Sequence, residues 1–336
     1  MKVPEPKRLP SGSWFIQMRL GGVSVPITAP SKKECIRIAE HEKTQYRAIT
    51  GKIKRLPKEM TLKEAMLRYI NEHKEELSPS TYDRYLAYTK CRFTDYLDKP
   101  IGNINWQDMI DDELKKASPK TVKNGWGLVT PPLKFVGYPT PDVKLAQVPV
   151  NEIPFLLPDE IKKFCKYIKG RPYEIAALLM LHGLRLSEAK ALTWDNVDLK
   201  RGVINVKGAY VKGVDGWVDK PTNKNASSTR PVPIMIPQLK NALNAVKDKS
   251  GKVVTISQSV LLRDIKRASE RAEVTVVTNH GLRHSFASLC YHLGIPERQI
   301  MEWGGWSDRE TLHKVYIRLS AAMESENKSV FTGFFK

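Results

Sequence analysis

The 336-residue sequence has only four cysteines, Cys35, Cys91, Cys165 and Cys290, and no two of them form a CxxC pair. That spacing suggests neither a zinc site nor a disulfide framework, and it fits a reducing compartment. Long hydrophobic runs are missing as well. The longest, Ile175 to Leu181, is far below the ~20 residues that a membrane span needs. Residues 1–10 carry charges and three prolines but no apolar stretch, so they do not read as a signal peptide. The chain also lacks an internal repeat, a low-complexity tract and an acidic cluster of metal-ligand type, so neither a metal nor a cofactor is expected. Negative charge is in short supply: 36 acidic side chains stand against 55 basic ones, a net charge of +19. Hydrophobic residues, at 41%, are enough for real cores. A chain of this kind is expected to meet a polyanion, with nucleic acid the leading candidate.

The charge is unevenly spread. Residues 1–60 hold 13 basic and 5 acidic side chains, whereas 61–150 hold 13 and 12, and 151–336 hold 29 and 19. The first segment is therefore small and dense in positive charge. Within it, Trp14, Ile16, Met18 and Leu20 alternate with Phe15, Gln17 and Arg19, Gly21-Gly22 supplies a turn, and Val23, Val25 and Ile27 resume the alternation. This pattern predicts a hairpin over 13–28. Ser31-Lys32-Lys33-Glu34 is a capping box that opens a helix to about Ile49, with Cys35, Ile38, Ala39 and Tyr46 on its core stripe. The basic run from Gly51 to Lys58 reads as a linker. Thr61 and Ser78-Pro79 open further helices, the second with Tyr82, Tyr85, Leu86, Phe93 and Leu97 on its buried side. More helices are expected at Asp108 to Lys116 and Pro119 to Phe135, then a proline-rich strap over 141–157. The remainder predicts helices at 158–169, 172–183, 187–193, 236–247, 257–272, 281–293, 296–303 and 308–318, with short strands between 203 and 234. The tail, with Val330, Phe331, Phe334 and Phe335, either packs on a neighbouring subunit or covers its own domain.

Four segments of this last region carry chemistry. Arg185 follows Gly183-Leu184 at a helix junction, with Glu188 three residues on, where a carboxylate can hold a guanidinium. Lys224 sits in the polar turn Asn223 to Ser228 that leads into a strand, and an ammonium there is suited to protonating a leaving oxygen. His280 and Arg283, one turn apart at a helix start, suit a phosphate. His284 is expected to face away from them. After Gly304-Gly305-Trp306-Ser307 comes Tyr316, which reads either as a core tyrosine or as a phenol nucleophile. Each of these signals is weak alone, and each is also compatible with surface charge, capping or packing.

Together and in this order, Gly183-Leu184-Arg185-Leu186-Ser187-Glu188, Lys224, His280-Gly281-Leu282-Arg283-His284, Gly305-Trp306 and Tyr316 resemble the motif set of the tyrosine recombinases, specifically the phage and mobile-element integrases. The resemblance implies a multidomain α+β chain: an arm-type DNA-binding domain at 1–56 made of a small sheet plus a helix, a helical core-binding domain at 61–145, and a mainly α catalytic domain with a small antiparallel sheet at 152–336. It implies Tyr316 as nucleophile, Arg185 and Arg283 as a phosphate clamp, Lys224 as general acid, and His280, Trp306 and Glu188 in support. Trp306 stands where the family more often has a histidine, and an indole cannot shuttle a proton. Lys220 and Lys207 are nearby alternatives to Lys224. In the first segment, Gln17, Arg19, Lys52, Lys54 and Arg55 are expected to meet DNA. The implied partners are double-stranded DNA at core and arm sites, a tetramer of the same chain, an excisionase and a host DNA-bending protein, on DNA in a bacterial cytoplasm. A chromosome- or plasmid-resolving recombinase and a non-catalytic DNA-binding regulator are the competing readings.

Overall fold

A computed structural model describes residues 3–20, 23–51, 60–149, 152–220 and 229–334. The Gly21-Gly22 turn, the linker residues Lys52, Lys54 and Arg55, the loop lysine Lys224 and Phe335 lie outside the described residues. The chain divides into two compact units, Met1–Pro149 and Val150–Lys336. It is mostly helical, with small antiparallel sheets. No helix among the described residues is long and apolar enough to cross a membrane.

The first unit opens with β1 (Lys7–Arg8), β2 (Trp14–Leu20) and β3 (Val23–Ala29), an antiparallel sheet in that order, followed by α1 (Lys32–Gly51). The alternation along β2 does what period-two patterning requires. Ile16, Met18 and Leu20 are buried while Gln17 and Arg19 are exposed. Cys35 and Ala39 of α1, both fully buried, pack in the same core, and Ser31 Oγ caps the Glu34 N–H at 3.2 Å. Helices α2 (Leu62–Glu72), α3 (Pro79–Cys91), α4 (Thr94–Leu97), α5 (Trp106–Lys116) and α6 (Pro119–Phe135) surround a second core of Leu62, Met66, Ile70, Met109, Ile110 and Val129. The expected stripe running on to Phe93 and Leu97 is not one helix. α3 ends at Cys91, and Phe93 takes a left-handed conformation with φ of 53°. The cause is Glu113, a buried carboxylate that accepts the Phe93 N–H at 3.0 Å and Arg92 Nη1 at 3.1 Å, so the chain turns there to satisfy it.

The second unit contains α7 (Pro158–Ile168), α8 (Glu174–Leu181), α9 (Leu186–Ala191), β4 (Val197–Asp198), β5 (Val203–Val206), β6 (Ala209–Gly213), β7 (Gly216–Lys220) and β8 (Arg230–Pro233). It continues with α10 (Pro237–Ala245), α11 (Gln258–Arg271), α12 (Asn279–His292), α13 (Glu297–Gly304), α14 (Arg309–Ala322) and α15 (Glu324–Phe334). β4, β5 and β8 form one sheet and β6–β7 a separate hairpin. Helix α8 is apolar after Glu174 and buried from Ala176 to Leu181, and α12 is buried at every position from Gly281 to Ser288. These two packed helices are the scaffold on which the charged residues stand. The strap end, residues 152–157, has no regular structure but is fixed to α12, because the Leu156 N–H donates to Ser285 Oγ at 2.8 Å. The tail forms α15, which the sequence reading did not anticipate.

Candidate active site

The site grows from one buried carboxylate. Arg185 holds extended backbone just before α9, so Glu188, one turn in, reaches back to it. Glu188 Oε2 accepts the Arg185 N–H at 2.9 Å, and Oε1 accepts Arg185 Nη1 at 2.7 Å. Arg230, at the start of β8, donates to the same carboxylate from Nη1 at 3.4 Å and Nη2 at 3.2 Å. Arg283 Nη1 stands 4.0 Å from Glu188 Oε2 and donates to the Gly183 carbonyl. One acidic group thus gathers three guanidiniums. Burial pushes the Glu188 carboxyl up, but Arg230, Arg283 and the Arg185 N–H together outweigh it and hold it below the ordinary carboxylate range. Burial, and Arg185 beside it, pull Arg283 well below the ordinary guanidinium range, with Glu188 opposing.

A turn after α13 closes the cluster. Gly305 has φ of +67°, its carbonyl accepts Arg185 Nη2 at 2.8 Å, and a Cβ on it would meet Arg230 Nη1 at 2.6 Å. Only glycine suits that conformation so close to the guanidinium. Trp306 lays its ring face under Arg283, 3.8 Å from the guanidinium carbon, and stacks on Phe286 behind it. Among the described residues Arg283 Nη2 is buried with no hydrogen-bond partner. A charged donor in that position is suited to an anion.

His280 lies at the N-terminal end of α12, whose first turn is capped by Thr278 Oγ1 accepting the Gly281 N–H at 3.2 Å. Burial first, then Arg283 and Arg185, lower its pKa, which favours the unprotonated ring. His284 does not face away from it. The two rings meet edge to face at 4.6 Å, as i and i+4 on a helix must. Burial, with His280, Arg283 and Arg318, pushes His284 down to about 4.

Tyr316 is on α14, which Leu312, Val315 and Leu319 bury against the core. Its own side is 46% exposed, so it is not a core tyrosine. Its ring neighbours are Tyr291, at 5.1 Å, and His313, at 6.1 Å. Tyr291 follows Arg283 by eight residues on α12, about 12 Å along the axis at 1.5 Å per residue. The structure thus brings Arg185, Glu188, Arg283 and Trp306 together with His280 beside them, and puts Tyr316 on the flank of the same helix.

Lys224 is outside the described residues, but both ends of its segment are not. Lys220 ends β7, paired with Ala209 of β6. The hairpin rests on α9 through Tyr210, which stacks on Trp217 and lies beneath Lys252 Nζ at 3.4 Å and Lys190 Nζ at 5.6 Å. Gln17 and Arg19 stand on the open face of the first unit's sheet, where Gln17 Nε2 donates to Ser24 Oγ at 2.8 Å. Sequence reasoning gave Arg230 no role. The available signal was the strand pattern, since Arg230 and Val232 point inward between Pro231 and Pro233, and an inward arginine must be paired.

Residues 154–323 match the model of the phage integrase family. A tyrosine recombinase XerC-like protein of Caldanaerobacter subterraneus subsp. tengcongensis is 28% identical over 214 residues, covering 54% of this chain and 53% of its own. The integrase of a Staphylococcus phage is 30% identical over 168 residues, covering 44% and 47%. The chain therefore spans about half the length of these curated relatives. Among solved structures, the Tn1549 transposon integrase in complex with transposon right end DNA aligns with a TM-score of 0.64 at 18% identity, over 79% of this chain and 99% of that one. A lambda integrase tetramer bound to a Holliday junction aligns with a TM-score of 0.55 at 16% identity, over 91% and 97%. At these identities the two structures are similar in fold.

Proposed function

The chain belongs to the phage integrase family, and on that premise we propose that it is a site-specific DNA recombinase that breaks and rejoins DNA through a 3′-phosphotyrosine link, integrating and excising a phage or mobile element. The observation that carries the reading is the gathering of Arg185, Arg230 and Arg283 on the single carboxylate of Glu188, beside Trp306. Three positive charges against one negative leave a surplus suited to a phosphodiester. Arg185 and Arg283 clamp its non-bridging oxygens and stabilise the pentacoordinate transition state, with charged, planar donors in place before the reaction starts. Tyr316 Oη attacks phosphorus, and the new P–O bond forms as the bond to the 5′-oxygen breaks. The exposed phenol gives its proton to water, His280 adds an N–H donor to the phosphate, and Lys224 gives a proton to the leaving 5′-oxygen. Trp306 supports Arg283 from below. The 5′-hydroxyl of a partner strand then reverses the step, so the energy of the broken bond is kept and ATP is not needed.

In this reading residues 1–56 are an arm-type DNA-binding domain, with Gln17 and Arg19 on its open sheet face and Lys52, Lys54 and Arg55 among its DNA-binding residues. Residues 61–145 bind the core site, and 152–336 are catalytic. The substrate is double-stranded DNA, the working assembly is a tetramer, and an excisionase and a host DNA-bending protein assist in a bacterial cytoplasm. A resolving recombinase is the second reading, favoured by the likeness to the XerC-like relative. The net positive sheet-and-helix module at the N-terminus favours the integrase. A chain starting at Lys58 is expected to keep core-site cleavage and to lose binding to a second, distinct DNA sequence.

The direct test uses a suicide substrate nicked next to the cleavage site. The protein should be trapped on it as a denaturant-resistant adduct, and Tyr316→Phe should bind the DNA without being trapped. An adduct with the Phe variant, or none with the unaltered protein, sinks the proposal.

A further inference from the structure

We propose that Arg230 is a positioning residue for both phosphate-clamping arginines, an inference that rests on the reading of Arg185 and Arg283 as that clamp. Arg230 is 7% exposed, and its guanidinium is engaged with protein on every nitrogen. Nε donates to the Trp303 carbonyl at 2.7 Å, and Nη1 and Nη2 donate to Glu188 at 3.4 and 3.2 Å. It acts through these partners rather than on the phosphate.

Its two partners are the two holders of the clamp. Glu188 takes the Arg185 N–H and Nη1, and stands 4.0 Å from Arg283. The turn from Trp303 to Trp306 supplies the Gly305 carbonyl to Arg185 Nη2 and the Trp306 ring to Arg283. Each clamp arginine is thus held from two sides, by α9 and by the turn after α13, and Arg230 is a side chain outside the clamp that ties those two sides together. The turn is shaped around it, since a Cβ on Gly305 would strike Arg230 Nη1. Its bonds run to two different elements, which needs a planar fork. An ammonium concentrates its donors at one point and cannot span them in the same way. Its charge matters too, because it does more than the other cations to hold Glu188 ionised against the cost of burial.

The test compares Arg230→Met and Arg230→Lys in the full-length protein, each alone and combined with Arg185→Lys. The readouts are single-turnover cleavage of the nicked substrate, DNA affinity and thermal melting. In folded Arg230→Met, cleavage should fall by about 10²-fold, the cost of a small misplacement at a reacting centre, with DNA affinity nearly unchanged. Arg230→Lys should recover part of the rate. In the Met background Arg185→Lys should cost about tenfold or less instead of about 10²–10³, because the clamp is already misaligned. A structural role alone would leave the two costs multiplicative. The proposal is overturned if a folded Arg230→Met cleaves at the normal rate, or if the costs multiply in full. Should the Met variant fail to fold, Arg230→Lys decides by the same readouts. The underlying clamp reading is tested separately by Arg185→Lys alone. If that variant cleaves normally the clamp itself fails, and if it is slow while the Arg230 variants are normal only the positioning role fails.

Discussion

The arginine cluster and the tyrosine flank both meet α12, through Arg283 and Tyr291, yet they are built in opposite ways. Around Glu188, every guanidinium has at least two protein contacts, and the supporting groups come from α9, β8, α12 and the turn after α13. Around Tyr316, the side chain is half exposed and its neighbours are two other rings. The difference follows from what each part has to do. Donors that stabilise developing charge work best when fixed before the reaction, with no reorganisation left to make. A nucleophile that must meet a phosphorus on a large substrate has to be reachable, and a buried phenol would not be.

The largest expected effect breaks the fixed half. Glu188→Gln removes the buried carboxylate that lies within 4.0 Å of the guanidiniums of Arg185, Arg230 and Arg283, the last two buried with it. The loss should be about 3–5 kcal/mol of stability, the cost of stranding a buried charge, read by urea unfolding.

Acid should weaken the same half next. His182 accepts the Met235 N–H at Nε2 and is pushed to about 4 by burial, and His284 is pushed to about 4 likewise. Both rings are neutral in the folded protein and charge more readily when it unfolds, at a pKa of about 6.5. The unfolded chain therefore binds more protons between pH 6.5 and 4. Stability is intact above that window and falls on acidification by about 1.4 kcal/mol per pH unit for each ring. His182→Gln should remove one share of that slope in melts taken between pH 7 and 5.

A smaller effect is expected from the strap that fixes α12. Gly281 leaves no room for a Cβ, which would overlap the Pro154 carbonyl. Gly281→Ala should cost about 1–3 kcal/mol through a forced shift of the strap, measurable by the unfolding midpoint. The smallest effect sharpens the contrast. Tyr316→Phe should change stability by less than about 0.5 kcal/mol, as surface substitutions do, while removing covalent capture altogether.

Much of this layout was legible in the sequence because its signals are local. Alternation marked β2 and β3, capping boxes marked α1 and α2, and Arg185 with Glu188 sit one helical turn apart. What escaped depends on contacts between distant residues. Arg230 meets Glu188 across 42 positions, and nothing near Arg230 announces a carboxylate. The break at Phe93 is set by Glu113, twenty residues on. His284 escapes for a different reason: the helical spacing that turns it from adjacent Arg283 also sets it one turn from His280. The strap looked like a plain connector because Leu156 and Pro154 gain meaning only against Ser285 and Gly281 of α12. Glycine showed only as a turn former, whereas at 281 and 305 its lack of a side chain makes room for a carbonyl and a guanidinium.

The measurement that tests the account most directly is to trap the protein on a nicked suicide substrate, digest the adduct and identify the residue that carries the nucleotide by mass spectrometry. The account expects the nucleotide on Tyr316 through a 3′-phosphate. A nucleotide on Tyr291, on any other side chain, or on none would contradict it.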